Sequence, residues 1–224
     1  MDIQALYLVW ADRLRKNQSG YISNDEFNRL VDAAQNDLYF VYFSQYELNQ
    51  SVPDGLRPFV KEAEIPVVNG VVAFPADYRH RIELYAVIVK NVDGGAPTKT
   101  EYLTTYLEGN EWGQTLASPI RKPSLEGKTF LHTMGVGGFK IAPTALTLTK
   151  IRYLREFSPS NRQITVVDDN EEYDPLTSTP LDWPESTKEQ LLELMLMYSG
   201  LPLRDPVLIQ FMGNVNQNLQ TTKV

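Results

Sequence analysis

Two histidines, His80 and His132, and no cysteine set the limits on what chemistry this 224-residue chain can perform. Without cysteine there is no disulfide framework, thiolate zinc site, iron-sulfur cluster or thiol nucleophile. His80 stands in Tyr78-Arg79-His80-Arg81, a basic patch at the head of an expected strand, and reads as a surface histidine rather than a general base. His132 follows another expected strand and reads the same way. Neither the G-x-S-x-G elbow nor H-E-x-x-H occurs, and Gly135-Val136-Gly137-Gly138 lacks the lysine and the following helix of a phosphate loop, so a β turn is expected there. Carboxylates are plentiful, yet no spacing singles out two of them for glycosidase chemistry. The chain is expected to be non-enzymatic.

One stretch has the outline of a calcium loop. Gly20, Ile22 and Glu26 fall at positions 6, 8 and 12 of an EF-hand, but position 1 is Arg15 and positions 3 and 5 are the neutral Asn17 and Ser19. A capped helix-turn-helix is the better reading. The acidic run Asp168, Asp169, Glu171, Glu172, Asp174 offers oxygen ligands, but neighbouring carboxylates of an extended chain point apart and no glycine turns them inward. No metal or cofactor is expected.

Charge is unevenly placed. Lys and Arg number 21 against 28 Asp and Glu, for a net charge of −7, and nine of those acids lie between Asp168 and Glu193 beside one base, Lys188. Such a run is ordinarily a solvated face. The balance also argues against a dedicated duplex-DNA binder. No apolar run approaches the roughly 18 to 20 residues that span a bilayer, and Met1-Asp2-Ile3-Gln4 lacks a basic start, so a soluble protein made in the cytoplasm, with no membrane partner, is expected.

The elements that must position these residues follow from periodicity. Ile3, Leu6, Tyr7, Trp10 and Leu14 predict a first helix ending near Lys16. Ser23 and Glu26 form an S-x-x-E capping box ahead of Phe27, Leu30, Val31, Ala34, Leu38, Val41 and Tyr42, a long second helix to about Glu47. Its end carries Tyr39, Phe40, Tyr42, Phe43 and Tyr46, too many aromatics for one face. They are either intrachain core or a subunit interface. A third helix is expected over 54–63, with Leu56, Phe59 and Val60 inward.

From Ile65 the period changes to two. Ile65–Val68 and Val71–Phe74 flank Asn69-Gly70, the pair of a type I′ hairpin. Strands are also expected over Arg81–Val89, Thr129–Leu131, Gly138–Ala142 and Leu146–Phe157, with a turn at Asp93-Gly94-Gly95 and an ambiguous stretch from Thr100 to Leu116 that includes a possible short helix. Prolines 159, 175, 180 and 184 and the acids leave 158–183 without a period, which reads as an extended arm. Helix resumes from Pro184 to Gly200, with Leu191, Leu194, Met195 and Tyr198, and again over 206–219. The expected class is α+β: N- and C-terminal helices (1–63 and 184–224) forming a bundle, an antiparallel β domain (64–157) and a Pro-rich acidic arm (158–183).

Several stretches, taken in series, carry a resemblance. They are Lys16-Asn17-Gln18-Ser19-Gly20-Tyr21-Ile22-Ser23 with Glu26-Phe27 and Ala34-Gln35-Asn36-Asp37-Leu38-Tyr39-Phe40; Leu56-Arg57-Pro58-Phe59-Val60-Lys61; Phe74-Pro75-Ala76-Asp77-Tyr78; Glu111-Trp112 with Ser118-Pro119-Ile120 and Lys122-Pro123-Ser124; and Ile151-Arg152-Tyr153-Leu154-Arg155. In this order the chain resembles ring, or head-to-tail connector (portal adaptor), proteins in virions of crAss-like and related tailed phages. These are similar in layout to the tail tubular protein A of short-tailed phages.

The resemblance implies a virion structural protein of the tail or neck, assembled in the host cytoplasm as a closed ring of about twelve copies below the portal, touching the portal and adjacent ring or tail proteins. DNA would pass through without specific binding. On that reading Tyr39, Phe40, Phe43, Tyr46, Tyr173, Leu176 and Trp183 are subunit-interface candidates, and Asp168, Asp169, Glu171 and Glu172 are candidates for the channel wall. The alternatives are another virion part, such as a stopper, hub or fibre-attachment adaptor, or a carbohydrate-binding adhesion module with Trp112 or Trp183 as a stacking platform.

Overall fold

A computed structural model describes residues 1–15, 23–49, 51–90, 96–167 and 170–199. The helix expected over 206–219, the turn at 93–95, Asp168, Asp169, Gly200 and most of the calcium-like loop lie outside them. In chain order the elements are α1 (Ile3–Arg15), α2 (Asn24–Asn49), β1 (Val60–Val68), β2 (Val71–Ala73), β3 (Tyr78–Lys90), β4 (Thr98–Leu103), β5 (Thr105–Tyr106), α3 (Gly109–Ala117), β6 (Leu131–Gly135), β7 (Gly138–Ala142), β8 (Leu148–Arg155), β9 (Ile164–Val167), β10 (Asn170–Tyr173) and α4 (Lys188–Tyr198). The class is mixed α+β. Two compact units divide it, Met1–Pro58 with Phe157–Val224, and Phe59–Glu156.

In the first unit the three-and-four spacing is used as expected. Ile3, Leu6, Trp10 and Leu14 of α1 and Phe27, Val31, Ala34, Leu38 and Val41 of α2 are all buried. The start of α2 is capped by Ser23, whose hydroxyl oxygen accepts the Glu26 N–H at 3.1 Å, and Asp25 and Glu26 suit the positive end of the helix. Trp10 and Tyr7 pack on Phe27, with ring centroids 5.4 and 5.1 Å from it. Helix α4 lies against both α1 and α2 and buries Leu191, Leu192, Leu194 and Met195, whereas Tyr198, expected in its apolar stripe, is on the surface.

Residues 158–183 depart from the expected period-free arm. Asn161 bridges Thr179, β9 pairs antiparallel with β10 from Ile164–Tyr173 to Val167–Asn170, and Ser160, Arg162, Leu181 and Trp183 are buried. Prolines hid this arrangement because they fall at its corners and ends rather than within its strands.

Across the division between the units, at Pro58 and Phe59, the expected helix over 54–63 is replaced. A 3-10 turn at Asp54–Phe59 contains Pro58, and Val60 already belongs to β1, which pairs with β8 from Val60–Leu154 to Pro66–Leu148. Leu56 and Phe59 are inward as expected, but Val60 is half-exposed. Asn69 and Gly70 take φ of 52° and 74°, the left-handed values of a type I′ turn. The eight-stranded sheet runs β4-β3-β8-β1-β2-β7-β6-β5, antiparallel except for β5 with β6. One face buries Val72, Leu84, Ala86, Phe139, Ile141, Ile151 and Tyr153. On strands β1, β3, β4 and β8, Lys150 pairs with Glu62 and Glu101 at 3.0 and 3.3 Å, Lys99 with Glu64 at 2.6 Å and Arg152 with Glu83 at 3.5 Å. The stretch from Thr100 to Leu116 resolves into most of β4, all of β5 and most of α3.

Candidate interaction surface

The two histidines lie in the sheet unit, His132 buried and His80 half-buried. His132 is 2% exposed on β6, and its Nδ1 lies 2.8 Å from the Thr104 hydroxyl, which itself donates to the Leu84 carbonyl at 2.7 Å. With its one proton committed to Leu84, the Thr104 oxygen must accept, so His132 carries its proton on Nδ1 and turns Nε2 toward the Arg81 guanidinium. Burial, reinforced by the Arg81 charge, pushes His132 down to about 3. Burial and the charge of Arg79 likewise push His80 down to about 4. Neither is the surface histidine that its neighbours in sequence suggested; both are neutral imidazoles of the sheet unit.

Of the apolar interface candidates, three are consumed by the chain's own core. Tyr39 is 0%, Tyr46 8% and Trp183 1% exposed, and Trp183 lies between Tyr39 and Tyr42 at 6.5 and 6.0 Å. They cannot meet a neighbouring subunit, and Trp183 cannot serve as a sugar platform. The reason is the folded 157–183 segment, which brings Trp183 back onto α2. Phe43 and Tyr173 are half-buried; Phe40 is exposed, and Leu176 is the most exposed of the set at 94%. Of the acidic candidates, Glu171 and Glu172 are exposed on β10, while Asp168 and Asp169 lie outside the described residues.

Leu176 is held out by a well-bonded turn. Asp174 Oδ1 accepts the Leu176 N–H at 2.9 Å, Asp174 Oδ2 accepts the Thr177 hydroxyl at 2.7 Å, and the Asp174 carbonyl accepts the Ser178 hydroxyl at 2.6 Å. The Thr177 hydroxyl and then the Leu176 N–H hold the Asp174 carboxyl below the usual range. An apolar side chain is thus displayed on an ordered backbone.

Sequence reasoning missed a second such feature. In the turn after α3, Ile120 is 92% exposed between Pro119 and the exposed pair Arg121 and Lys122, with the Arg121 N–H bonded to Ser118 Oγ at 3.2 Å. The signal was available: an isolated isoleucine beside two bases, bracketed by prolines, in a stretch without a period. A cavity of about 300 Å³ adjoins this turn, lined by Leu107, Glu111, Gln114, Thr115, Ser118 and Arg121. A second, of about 670 Å³, lies along α2 between Asp25, Arg29 and Asp32 and the segment Pro159–Asn161. Burial holds Asp32 above the usual carboxylate range.

Among the described residues, no three carboxylate or imidazole groups converge as metal ligands would, and no helix is long and apolar enough to cross a membrane. No protein-family model matches the chain, and no curated protein sequence matches it significantly.

Proposed function

We propose that this chain is a non-enzymatic virion structural protein, a ring of the head-to-tail connector below the portal of a tailed phage. It provides a passage for the genome and a docking surface for tail components. Support comes first from the serial resemblance of Lys16–Ser23, Ala34–Phe40, Leu56–Lys61, Phe74–Tyr78 and Ile151–Arg155 to such proteins. The observation that carries the reading is the display of Leu176 and Ile120, more than nine-tenths exposed on hydrogen-bonded turns, in a chain whose His132 is locked into its sheet unit. An apolar side chain displayed on an ordered backbone suits a contact with another protein, where a few buried anchors carry most of the binding energy.

In this reading the helices from the two ends of the chain form a bundle that makes the ring body, the sheet unit is a β domain inserted into it, and the Pro-rich acidic segment is the part that reaches a neighbour. Exposed carboxylates such as Glu171 would leave a channel wall that does not hold phosphates. The test is quantitative mass spectrometry of purified particles of the encoding phage, scaled to the portal subunit. A ratio near one supports a ring of portal-like symmetry; absence of the chain from particles discards it. A stopper, hub or fibre adaptor would instead appear at a different ratio.

A further inference from the structure

We infer that Arg81, held at one end of the curled sheet, is a recognition site for a carboxylate monoanion that carries an apolar body. The site goes beyond the ring reading and does not depend on it. The edge strands β4 and β5 are separated in the chain only by Thr104, so the eight-stranded sheet curls until its edges meet. The Thr104 N–H donates to the Leu84 carbonyl on β3 and the Thr105 N–H to the Phe130 carbonyl just ahead of β6, each at 2.9 Å. Arg81 stands opposite Tyr153 and His132 opposite Ile141, and Tyr153 and Ile141 both belong to the core inside the curl. Paired residues share a face, so Arg81 and His132 are on the inner one. The mouth of a curled, closing sheet is a common place for a ligand to bind.

Arg81 is a cation fixed by neutral groups. Its Nη1 donates to His132 Nε2, His132 Nδ1 donates to the Thr104 hydroxyl at 2.8 Å, and that hydroxyl donates to the Leu84 carbonyl at 2.7 Å. His132 and Thr104 are 2% and 6% exposed, so a buried relay orients a half-buried guanidinium. The guanidinium carbon also lies 4.8 Å from the Tyr106 ring centroid and 5.9 Å from that of Phe139. Next to Phe139 are Phe74 and Tyr78, stacked at 4.6 Å, and its cross-strand partner Met134. None of these side chains carries a charge. The outer face of the sheet is built the other way, with Lys99, Lys150 and Arg152 each set against carboxylates. Among the described residues no carboxylate pairs with Arg81, and its Nε and Nη2 reach water, since neither is a buried atom lacking a partner. A planar fork with open donors matches the two oxygens of a carboxylate, and one cation balances one negative charge. Tyr106 at 43% and Met134 at 54% exposure supply apolar surface for the rest of the ligand.

The test is a titration of the whole, isotope-labelled chain with benzoate and with its neutral isostere benzamide, read at the Arg81 Nε–H by NMR. Benzoate should shift that signal saturably, and benzamide should bind about tenfold more weakly or less. This comparison uses the parent chain, so no loss of folding can confuse it. In a second arm, R81Q should weaken benzoate binding about tenfold, and R81K should recover only part of the loss because an ammonium keeps the charge without the fork. K122Q, a change at an exposed base elsewhere in the sheet unit, should bind benzoate as the parent does. An equal response to benzoate and benzamide overturns the site, as does an unaltered benzoate affinity in R81Q. An acidic side chain of another protein presents the same carboxylate, so N-acetylglutamate N-methylamide is titrated in parallel. Weaker binding than benzoate supports the free apolar acid, and tighter binding overturns the apolar body.

Discussion

Arg162 stacks on Tyr7, its guanidinium carbon 3.8 Å from the ring centroid, and this pairing ties the strand-like segment 160–163 to the helices. The guanidinium donates from Nε to Gln4 Oε1 and from Nη1 to Asn24 Oδ1, both at 2.7 Å. Its backbone is held as well, the N–H by Asn28 Oδ1 at 2.9 Å and the carbonyl by the amides of Asn24 and Asn28 at 2.7 and 3.0 Å. At 6% exposure the cation is satisfied, among the described residues, by neutral amide oxygens and an aromatic face.

That arrangement needs the planar fork of arginine. Arg162→Lys keeps the charge but cannot reproduce both directed bonds and the stacking, and it is expected to cost about 2 to 4 kcal/mol. Urea denaturation of the two proteins measures this, and a lysine variant as stable as the parent would show that the charge alone suffices.

Acid should destabilise the sheet unit well above the range in which its carboxylates protonate. His132 and His80 ionise near 3 and 4 in the folded chain, against an ordinary value of 6.5. Their folded values are depressed, so the unfolded chain binds protons first. The stability they contribute is complete above pH 6.5 and is lost as pH falls toward the folded values, at a limiting slope of about 1.4 kcal/mol per pH unit for each histidine. His132→Gln, which can still donate and accept, is expected to flatten the slope between pH 6 and 4 by about half, as read from denaturation midpoints at several pH values.

Two adjacent glycines should respond very differently to alanine. A Cβ on Gly138 would meet the Val72 carbonyl oxygen at 2.2 Å and Ala73 Cα at 3.1 Å, backbone atoms of β2 that cannot give way without opening the ladder. Gly137 faces open space but has φ of +75°. Gly137→Ala is expected to cost about 1 kcal/mol of backbone strain. The Gly138→Ala variant should lose about 3 kcal/mol or more. Equal thermal shifts would contradict the close approach of β7 to β2.

Much of this fold was legible because single stretches carry their own period. The α1 and α2 stripes, the Asn69-Gly70 hairpin and the alternation of β8 depend on local side-chain direction alone. The expected helix at 54–63 failed because its apolar spacing suits a helix but the pairing of Val60–Pro66 with β8 is a long-range event. The same limit governs the site. Leu176 could be named from sequence as apolar in a polar stretch, but nothing local distinguishes it from Trp183, whose fate is decided by return packing on α2. His132 shows the same limit: Arg81 on β3 and Thr104 between β4 and β5, which fix its proton, are distant in sequence.

Leu176 and Trp183 therefore give opposite results when substituted. Trp183→Ala empties a packed site against Tyr39 and Tyr42 and is expected to cost about 3 to 5 kcal/mol, lowering the melting temperature before association is affected. Leu176→Asp, at a side chain 94% exposed, should change stability by no more than about 0.5 kcal/mol. Its melting curve at low concentration should overlay the parent's, and its self-association by light scattering should fall. Loss of thermal stability in Leu176→Asp would mean that this turn belongs to the fold, and intact association in the same variant would mean that the displayed leucine meets nothing.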